Sequence, residues 1–256
     1  MKTIVITGST RGIGFGLATE FLRLGHQVVI NGRSEMTLNE ALEKLRTISD
    51  KVVGVAGNIN EPEVHRQLID KAVAIFGKVD IWINNAGIPQ PHRKFIDIEA
   101  NDIHALTDIN IYGLMLGTKI AAEFMLKQGF GKIFNMEGFG SDGRMMDKLT
   151  LYGTSKRAVN YFTKSVSKEM EGTCVQVGIL SPGMVRTDFL SLKGGERTPA
   201  EIKQFDKVYR VLAEDATVVT PFLVNGILAS RKHYDRIEFL AGSRLFIRLL
   251  KLMLAR

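Results

Sequence analysis

Residues 7–14 read Thr7-Gly8-Ser9-Thr10-Arg11-Gly12-Ile13-Gly14. This loop follows a β-branched run at Thr3–Thr7 and precedes a segment of helical period at Ile13–Leu24. Glycines at a strand-to-helix turn let a diphosphate approach the backbone closely, and the N-terminus of the following helix offers free N–H donors. The spacing Gly-x3-Gly-x-Gly in this position therefore predicts a dinucleotide-binding turn, with a plain tight turn as the alternative.

Outward from this loop, the chain repeats one type of unit, a short apolar run followed by a longer segment of helical period. The runs are Thr3–Thr7, Gln27–Asn31, Lys51–Ala56, Val79–Asn84, Gly131–Met136 and Cys174–Leu180, with a further candidate at Ile237–Leu240. The helical segments include Ile13–Leu24, Met36–Ser49, Glu61–Phe76, Leu114–Lys127 and Gly153–Met170. Nearly all-apolar strands that alternate with helices are typical of a parallel sheet covered on both faces. We therefore predict an α/β fold: a doubly wound, Rossmann-like parallel sheet of six to seven strands, forming a single domain over residues 1–242.

The residues after the second strand indicate which dinucleotide binds. A carboxylate there would accept hydrogen bonds from the ribose hydroxyls of NAD, whereas a basic residue suits the 2′-phosphate of NADP. The sequence reads Val28-Val29-Ile30-Asn31-Gly32-Arg33-Ser34, and no carboxylate occurs before Glu35. Arg33, together with Arg11, favours NADP(H) over NAD(H) because a guanidinium forms charge-assisted hydrogen bonds to phosphate. The alternative is that both arginines are solvated surface charges.

Three further motifs follow in order. They are Asn84-Asn85-Ala86-Gly87, Tyr152-Gly153-Thr154-Ser155-Lys156 and Ser181-Pro182-Gly183-Met184-Val185-Arg186-Thr187. Tyr152 and Lys156 stand at i and i+4, so they share one face of a helix. Together with the glycine loop, these motifs resemble the short-chain dehydrogenase/reductase superfamily over essentially residues 1–190.

The resemblance implies roles for the matching residues. Tyr152 would be the general acid in carbonyl reduction, or the base in alcohol oxidation, and Lys156 would lower its pKa and bond the nicotinamide ribose. Asn110 matches the helix asparagine that holds this lysine through water. Asn58 falls where the superfamily usually has an acidic residue against the adenine. The residues implied in cofactor binding are Gly8, Ser9, Thr10, Arg11, Gly12, Ile13, Gly14, Arg33, Asn58, Ile59, Asn85, Ala86, Gly87, Tyr152, Lys156, Pro182, Gly183, Val185 and Thr187.

One expected residue of this superfamily is missing. Most members carry a serine after the fifth strand that donates a hydrogen bond to the substrate oxygen, and Gly138 stands at that position. Loss of an oxyanion-type donor typically lowers the rate by about 10²–10³-fold, so an active enzyme needs a substitute. Three readings are open: Ser141 swings into the site as a catalytic residue, a backbone N–H of the Gly138–Gly140 loop is the donor, or the fold merely binds the cofactor.

The same stretch narrows the resemblance. Residues 134–143, Phe134-Asn135-Met136-Glu137-Gly138-Phe139-Gly140-Ser141-Asp142-Gly143, are similar to those of chlorophyll b reductases, which also lack the serine. Those enzymes reduce the formyl group of chlorophyll(ide) b to hydroxymethyl. The resemblance implies an NADP(H)-dependent oxidoreductase that reduces a small-molecule aldehyde or ketone, with a large lipophilic carbonyl as candidate substrate. The alternative is an NADP-binding sensor or scaffold of the same fold without turnover.

Two segments outside the motifs carry expectations of their own. Residues 188–212 are expected to form a substrate loop and lid. In residues 243–256, Arg244, Arg248 and Lys251 recur on one helical face, and the other faces hold Leu, Phe, Ile and Met. This pattern is typical of an amphipathic helix in a membrane interface, with packing on the body or on a partner subunit as the alternative. The superfamily resemblance also implies a homo-oligomer, a dimer or tetramer assembled through helices around 100–128 and 150–170.

Composition bounds the remaining possibilities. The 256 residues, 45% hydrophobic and 24% charged, are typical of one folded domain. Cys174 is the only cysteine, so we expect a buried thiol and a reducing, cytoplasmic setting, with possible membrane association through residues 243–256. No secretory signal or spanning apolar run is recognised. The five His show no metal-ligand spacing, and a net charge of +7 is too weak a signal to predict a nucleic-acid partner.

Overall fold

The computed structural model describes residues 1–187, 198–242, 244–247 and 250. The strands are β1 (Thr3–Ile6), β2 (Gln27–Gly32), β3 (Val52–Ala56), β4 (Ile81–Asn84), β5 (Gly131–Met136), β6 (Val175–Ser181), β7 (Val185–Arg186), β8 (Glu214–Asp215) and β9 (Arg236–Glu238). The α-helices are α1 (Gly12–Arg23), α2 (Glu35–Arg46), α3 (Pro62–Phe76), α4 (Ala100–Thr107), α5 (Leu114–Gln128), α6 (Thr150–Glu169), α7 (Pro199–Leu212) and α8 (Ala216–Ala229). A π-helical turn, Asp108–Gly113, joins α4 to α5.

Seven strands form one parallel sheet in the order β3-β2-β1-β4-β5-β6-β9. The chain starts in the middle of the sheet, because β1 pairs with β2 on one side and with β4 on the other. The strand order reverses between β1 and β4, which makes this the topological switch point where ligands of such sheets bind. The predicted doubly wound parallel sheet is confirmed.

Alternate residues of the central strand face two separate apolar layers. Ile4 and Ile6 pack against α1, α2 and α8, whereas Val5 faces α3 and α5. This alternation follows from the two-residue period of a strand, and burial on both faces explains why the strands are apolar throughout. The sheet is therefore rigid, and it fixes the ends of the loops at the carboxyl edge of its strands.

The elements differ from the sequence prediction mainly near the C-terminus. The last strand of the sheet is Arg236–Glu238, slightly earlier than the expected Ile237–Leu240. Helices α7 and α8 were not predicted. Helix α8 contains Val218, Val219 and Thr220, which favour strands, and has Pro221 in its interior. Burial of Val219, Leu223, Val224 and Ile227 outweighs these local preferences.

The expected amphipathic helix at 243–256 lies mostly outside the described residues. Where it is described, at 244–247, the chain is helical. The Arg244 guanidinium lies over the rings of Phe222 and Phe239, 4.4 and 4.9 Å from their centroids, while Phe246 is exposed. Arg244 therefore packs on the body, in contrast to the expected outward basic face. Of the expected lid, residues 188–197 also lie outside the described residues, and residues 198–212 contain α7.

Two smaller observations concern the remaining expectations. Cys174 is exposed, so the prediction of a buried thiol is wrong: the residue precedes β6 instead of lying within it. In the part of the chain that the structure describes, none of the helices has the length and apolar character needed to cross a membrane.

Candidate active site

Four loops meet at the carboxyl edge of the sheet because β1, β4, β5 and β6 are neighbours. Each loop carries one of the stretches singled out in the sequence: residues 7–14, 85–87, 137–141 and 182–187. In the order of the sheet, the glycine turn lies beside the asparagine motif, which lies beside the Gly138 loop. The topology thus brings together residues that are far apart in sequence.

The glycine turn has the shape of a phosphate cradle. Gly8 and Gly12 adopt φ values of +58° and +59°, and a Cβ atom on Gly8 would lie 2.7 Å from Ala86 Cα. Only glycine fits such a place without strain. Helix α1 begins at Gly12, its N-cap Arg11 makes no side-chain capping bond to the first turn, and that turn holds no acidic residue. Its N-terminal N–H groups therefore suit the diphosphate of a dinucleotide.

Buried side chains support this cradle from behind. Asn85 donates through Nδ2 to the carbonyl oxygens of Thr7 and Gly8, at 3.0 and 2.8 Å. The Ser9 hydroxyl is fully buried and donates to Ile6 O, so it braces the turn instead of facing a ligand. Asn31 accepts a hydrogen bond from Gly8 N. The implied roles of Asn85 and Ser9 in cofactor binding are thus indirect in this geometry.

The predicted contacts for the adenosine end lie on the surface. Arg33 is exposed and directly precedes Ser34, the N-cap of α2. Arg11 is exposed as well. Asn58 is exposed and makes a weak bond to Glu61 at 3.5 Å, whereas Ile59 is buried. Thr10 packs on Gly32, and Ile13 packs against the core.

The loop after β6 borders the cradle on its other side. Val185 is buried, and Thr187 Cγ2 would lie 3.5 Å from a Cβ on Gly12. Gly183, after Pro182, turns the chain with φ +73°. The loop therefore closes over the same turn that holds the diphosphate in the predicted site.

Tyr152 and Lys156 lie together on α6, where Lys156 is buried and Tyr152 is half-buried. Lys156 Nζ lies 5.7 Å from the centroid of the Tyr152 ring and donates to Met136 O at 3.1 Å. Burial lowers the pKa of Lys156 to about 8, while the nearby Glu137 carboxylate counteracts this. Burial raises the pKa of Tyr152 above its ordinary value. The expected lowering of the tyrosine pKa is therefore wrong for the protein by itself, because desolvation of the phenolate outweighs the lysine.

Asn110 occupies the π-helical turn and holds two elements of the site. Its Oδ1 accepts from Ile88 N at 2.8 Å, and its Nδ2 donates to Ile88 O at 2.9 Å. Nδ2 also reaches Ser155 Oγ at 3.3 Å, and a Cβ on Gly87 would lie 3.3 Å from Asn110 Oδ1. Turns of this kind often mark functional sites. Asn110 thus ties the loop after β4 to helix α6, one residue before Lys156.

Gly138 faces the tyrosine directly. A Cβ atom at this position would overlap Tyr152 Oη and lie 3.3 Å from Tyr152 Cζ. The tyrosine hydroxyl thus fills the space that a serine side chain would need. Ser141 is buried, its N–H donates to Gly138 O and its carbonyl oxygen accepts from Arg157. The backbone of Ser141 is therefore committed to a tight turn and to a clamp on α6.

Sequence reasoning missed two residues beside the tyrosine. Gln90 is buried, accepts from Tyr152 N at 2.6 Å and donates to Lys148 O at 2.7 Å. It caps one of the free N–H groups at the start of α6 and fixes the backbone of Tyr152. Glu137 is buried beside Gly138 and pairs with Arg236. A glutamine in a loop and one acidic residue after a strand carry no motif, so only the fold reveals them.

Comparison with known proteins identifies the family. The profile described as short chain dehydrogenase matches residues 2–196. The chain belongs to the short-chain dehydrogenase/reductase family. The resemblance stated from the sequence is confirmed.

Among curated relatives, the chain is similar to chlorophyll(ide) b reductase NOL of Arabidopsis thaliana. The two are 38% identical over 232 residues, which cover 88% of this chain and 65% of the relative. The chain thus spans less than two thirds of that relative's length. The rice protein of the same name is 35% identical over 257 residues, covering 96% of this chain and 73% of the relative. A 3alpha-hydroxysteroid dehydrogenase of Mediterraneibacter gnavus is 31% identical over 192 residues, covering 74% and 76% of the two chains.

Solved structures agree on the fold. A 3-ketoacyl-(acyl-carrier-protein) reductase from Brucella melitensis, complexed with NADH, superposes with a TM-score of 0.79 at 24% identity, covering 95% of this chain and 98% of that one. A gluconate 5-dehydrogenase from Burkholderia cenocepacia, in complex with NADP and tartrate, gives a TM-score of 0.78 at 25% identity, covering 93% and 94%.

Proposed function

We propose that this chain is an NADP(H)-dependent reductase that converts an aldehyde or ketone to an alcohol, with Tyr152 as the proton donor. The observation that carries the proposal is the pairing of the half-buried Tyr152 with the buried Lys156 at the carboxyl edge of the sheet, next to a glycine cradle. Tyr152 and Lys156 are the proton-transfer groups of the proposed mechanism. Asn110 and Gln90 both hold helix α6, which carries Tyr152 and Lys156, against the loop after β4.

The protonation states of the pair suit reduction. When bound, the nicotinamide supplies hydride to the carbonyl carbon. The raised pKa of Tyr152 keeps its hydroxyl protonated near neutral pH, so it has a proton to give to the developing alkoxide oxygen. With a pKa of about 8, Lys156 is mostly charged at neutral pH and stabilises the phenolate left on Tyr152.

For the missing serine, we propose that backbone N–H groups of the Gly138–Gly140 loop bind the substrate oxygen. The described residues offer no acceptor to the N–H groups of Gly138, Phe139 and Gly140, whereas Ser141 N is bonded to Gly138 O. The loop is held against α6, because a Cβ on Gly140 would lie 2.6 Å from Gly153 Cα. Fixed N–H donors of this kind stabilise developing negative charge without reorganisation.

The cofactor preference rests on Arg33. Its exposed guanidinium follows β2, where a 2′-phosphate of NADP would lie in this fold. Replacing Arg33 with aspartate is expected to weaken NADPH binding by about tenfold or more, because a charge-assisted hydrogen bond is lost and a repulsive charge is gained. NADH binding should change far less. Arg46→Asp, the same charge change at the other end of α2, is the control for general electrostatics.

Fluorescence titration of both nucleotides measures this preference. The wild-type protein is expected to bind NADPH more tightly than NADH. The NADP assignment would be contradicted if the wild-type protein bound NADH as tightly as NADPH or more tightly. It would also be contradicted if Arg33→Asp bound NADPH as tightly as the wild-type protein does.

The substrate is proposed to be large and lipophilic. Two loops beside Tyr152 carry exposed apolar side chains, Phe95 and Ile96 on one and Met145 and Met146 on the other. Gln90 joins these loops through Lys148 O. Exposed apolar clusters often mark ligand or interaction sites. Two of the relatives are named for chlorophyll(ide) b and for a hydroxysteroid, and these large ring compounds support a substrate of this class.

A panel of carbonyl compounds tests this substrate class. With NADPH present, we expect kcat/KM to rise from propanal to a steroid ketone and to chlorophyllide b. The expected rise is about tenfold or more, since each buried methylene contributes about 0.8 kcal/mol. Preference for the small aldehyde would contradict the proposal, and no turnover on any compound would favour a non-catalytic NADP-binding sensor or scaffold.

Assembly and location also stay proposals. A homo-oligomer is proposed to form through the helices around 100–128 and 150–170, which are α4, α5 and α6. Peripheral membrane contact through residues 243–256 would suit a lipophilic substrate in a cytoplasmic protein. Liposome flotation with and without this segment distinguishes membrane contact from packing on the body.

A further inference from the structure

Glu137 is a buried carboxylate that the proposed reaction does not use. It directly follows β5 and precedes Gly138, and its side chain is 1% exposed. A carboxylate in such a place loses its hydration and needs specific partners. Its partners come from two elements: Arg236 of β9 donates to Oε1 at 2.6 Å, and Asn160 of α6 donates to Oε2 at 3.1 Å.

The same carboxylate lies beside the lysine of the site. Asn160 is one helical turn after Lys156 on α6, and Lys156 Nζ donates to the carbonyl oxygen of Met136, the residue before Glu137. Burial lowers the pKa of Lys156, and the charge of Glu137 opposes that effect. These two contacts, Asn160 to Glu137 and Lys156 Nζ to Met136 O, hold the Glu137 carboxylate close to the Lys156 ammonium.

Other titratable groups surround this pair. On and before β9 they are Tyr234, Asp235, Arg236 and Glu238, and on α6 they are Tyr152 and Lys156. Arg236 is shared, because its Nη2 also lies 3.4 Å from Glu238 Oε1. Arg236 therefore contacts both Glu137 and Glu238, and the Glu137 charge also acts on Lys156.

We propose that Glu137 is a positioning residue that keeps the buried Lys156 ammonium charged, and that Arg236 sets the size of this effect by sharing the carboxylate charge. The inference rests on the proposed reductase function in one respect only, the consequence for turnover. It assigns a role to an acidic residue in the very stretch where the superfamily serine is missing.

The pH dependence of reduction tests the role of Glu137, because two variants should shift the pKa of Lys156 in opposite directions. Reduction needs a charged Lys156, so kcat/KM falls as pH rises through its pKa. Glu137→Gln removes the favourable charge and is expected to move this alkaline limb to lower pH by about one unit. Arg236→Gln leaves Glu137 with its full charge and should move the limb to higher pH, whereas Arg236→Lys should leave it in place.

A matched control separates this effect from loss of stability. Asp80 is likewise a buried carboxylate, with a side chain 3% exposed and ion pairs to Lys2 and Lys78 at 2.8 and 3.0 Å. It precedes β4, at the opposite edge of the sheet from the site. Asp80→Asn should therefore destabilise the fold without moving the alkaline limb.

A second readout does not depend on turnover. Lysine labelled with ¹³C at Cε reports the titration of Lys156 by NMR, with Lys156→Arg to assign its signal. Its midpoint should fall in Glu137→Gln and rise in Arg236→Gln. If Glu137→Gln does not fold, the two Arg236 variants decide. The proposal is overturned if neither the NMR titration midpoint of Lys156 nor the alkaline limb of kcat/KM moves in the folded variants. A wild-type protein without turnover would refute the reductase function, but the NMR test of Glu137 would still apply.

Discussion

Replacing Tyr152 with phenylalanine is expected to lower kcat for carbonyl reduction by about 10²–10⁴-fold, the usual contribution of a positioned general acid. The substitution removes only the hydroxyl that gives the proton to the alkoxide. The ring remains packed against the cluster of Ile98, Leu106 and Leu151, so folding and NADPH binding should be retained. Steady-state kinetics with NADPH and the best carbonyl of the panel measure the loss.

A control on the same helix makes this result specific. Tyr161 also lies on α6 but is 75% exposed. Tyr161→Phe should keep wild-type kinetics. Turnover of Tyr152→Phe at a rate close to that of the wild-type protein would refute Tyr152 as the proton donor.

Restoring the superfamily serine at Gly138 is expected to damage the enzyme. A side chain there would overlap Tyr152 Oη, so the tyrosine must move away from its place. Displacement of a catalytic group by about 1 Å can lower the rate by about 10²-fold. We therefore expect Gly138→Ser to lose activity to this extent while it still binds NADPH.

Gly138→Ala separates the steric effect of a serine side chain from the effect of its hydroxyl. Alanine brings the same Cβ atom without a hydroxyl, so a purely steric effect predicts similar losses in both variants. Kinetics of the two variants side by side check this. A Gly138→Ser protein that matches or exceeds the wild type would show that the site lacks a hydroxyl donor and would contradict the role given to the loop N–H groups.

The fold was largely predictable from local patterns. Each strand of the sheet except β9 is a short apolar run with a turn signal behind it, because strands covered on both faces have no polar side to interrupt the pattern. Helix α8 escaped prediction for the converse reason. Helix α8 is apolar on all sides, with β-branched residues and Pro221, so its sequence carries no helical period.

The site was predictable as far as motifs reach. Tyr152, Lys156, Asn110 and the glycine turn came from spacing and resemblance, and the structure brings them to one edge of the sheet. Gln90 and Glu137 could not be found this way, because their partners Tyr152 and Arg236 lie 62 and 99 residues away. The direction of the Tyr152 pKa also depends on burial, which a sequence motif does not encode.

The function proposed for this chain is the reduction of a carbonyl at the expense of NADPH. Its most direct test is product analysis after the purified wild-type protein is incubated with NADPH and chlorophyllide b. We expect the hydroxymethyl product in an amount equal to the NADPH consumed, and none with Tyr152→Phe over the same time. NADPH that binds but is not consumed, with chlorophyllide b and every other carbonyl of the panel left unchanged, would contradict it.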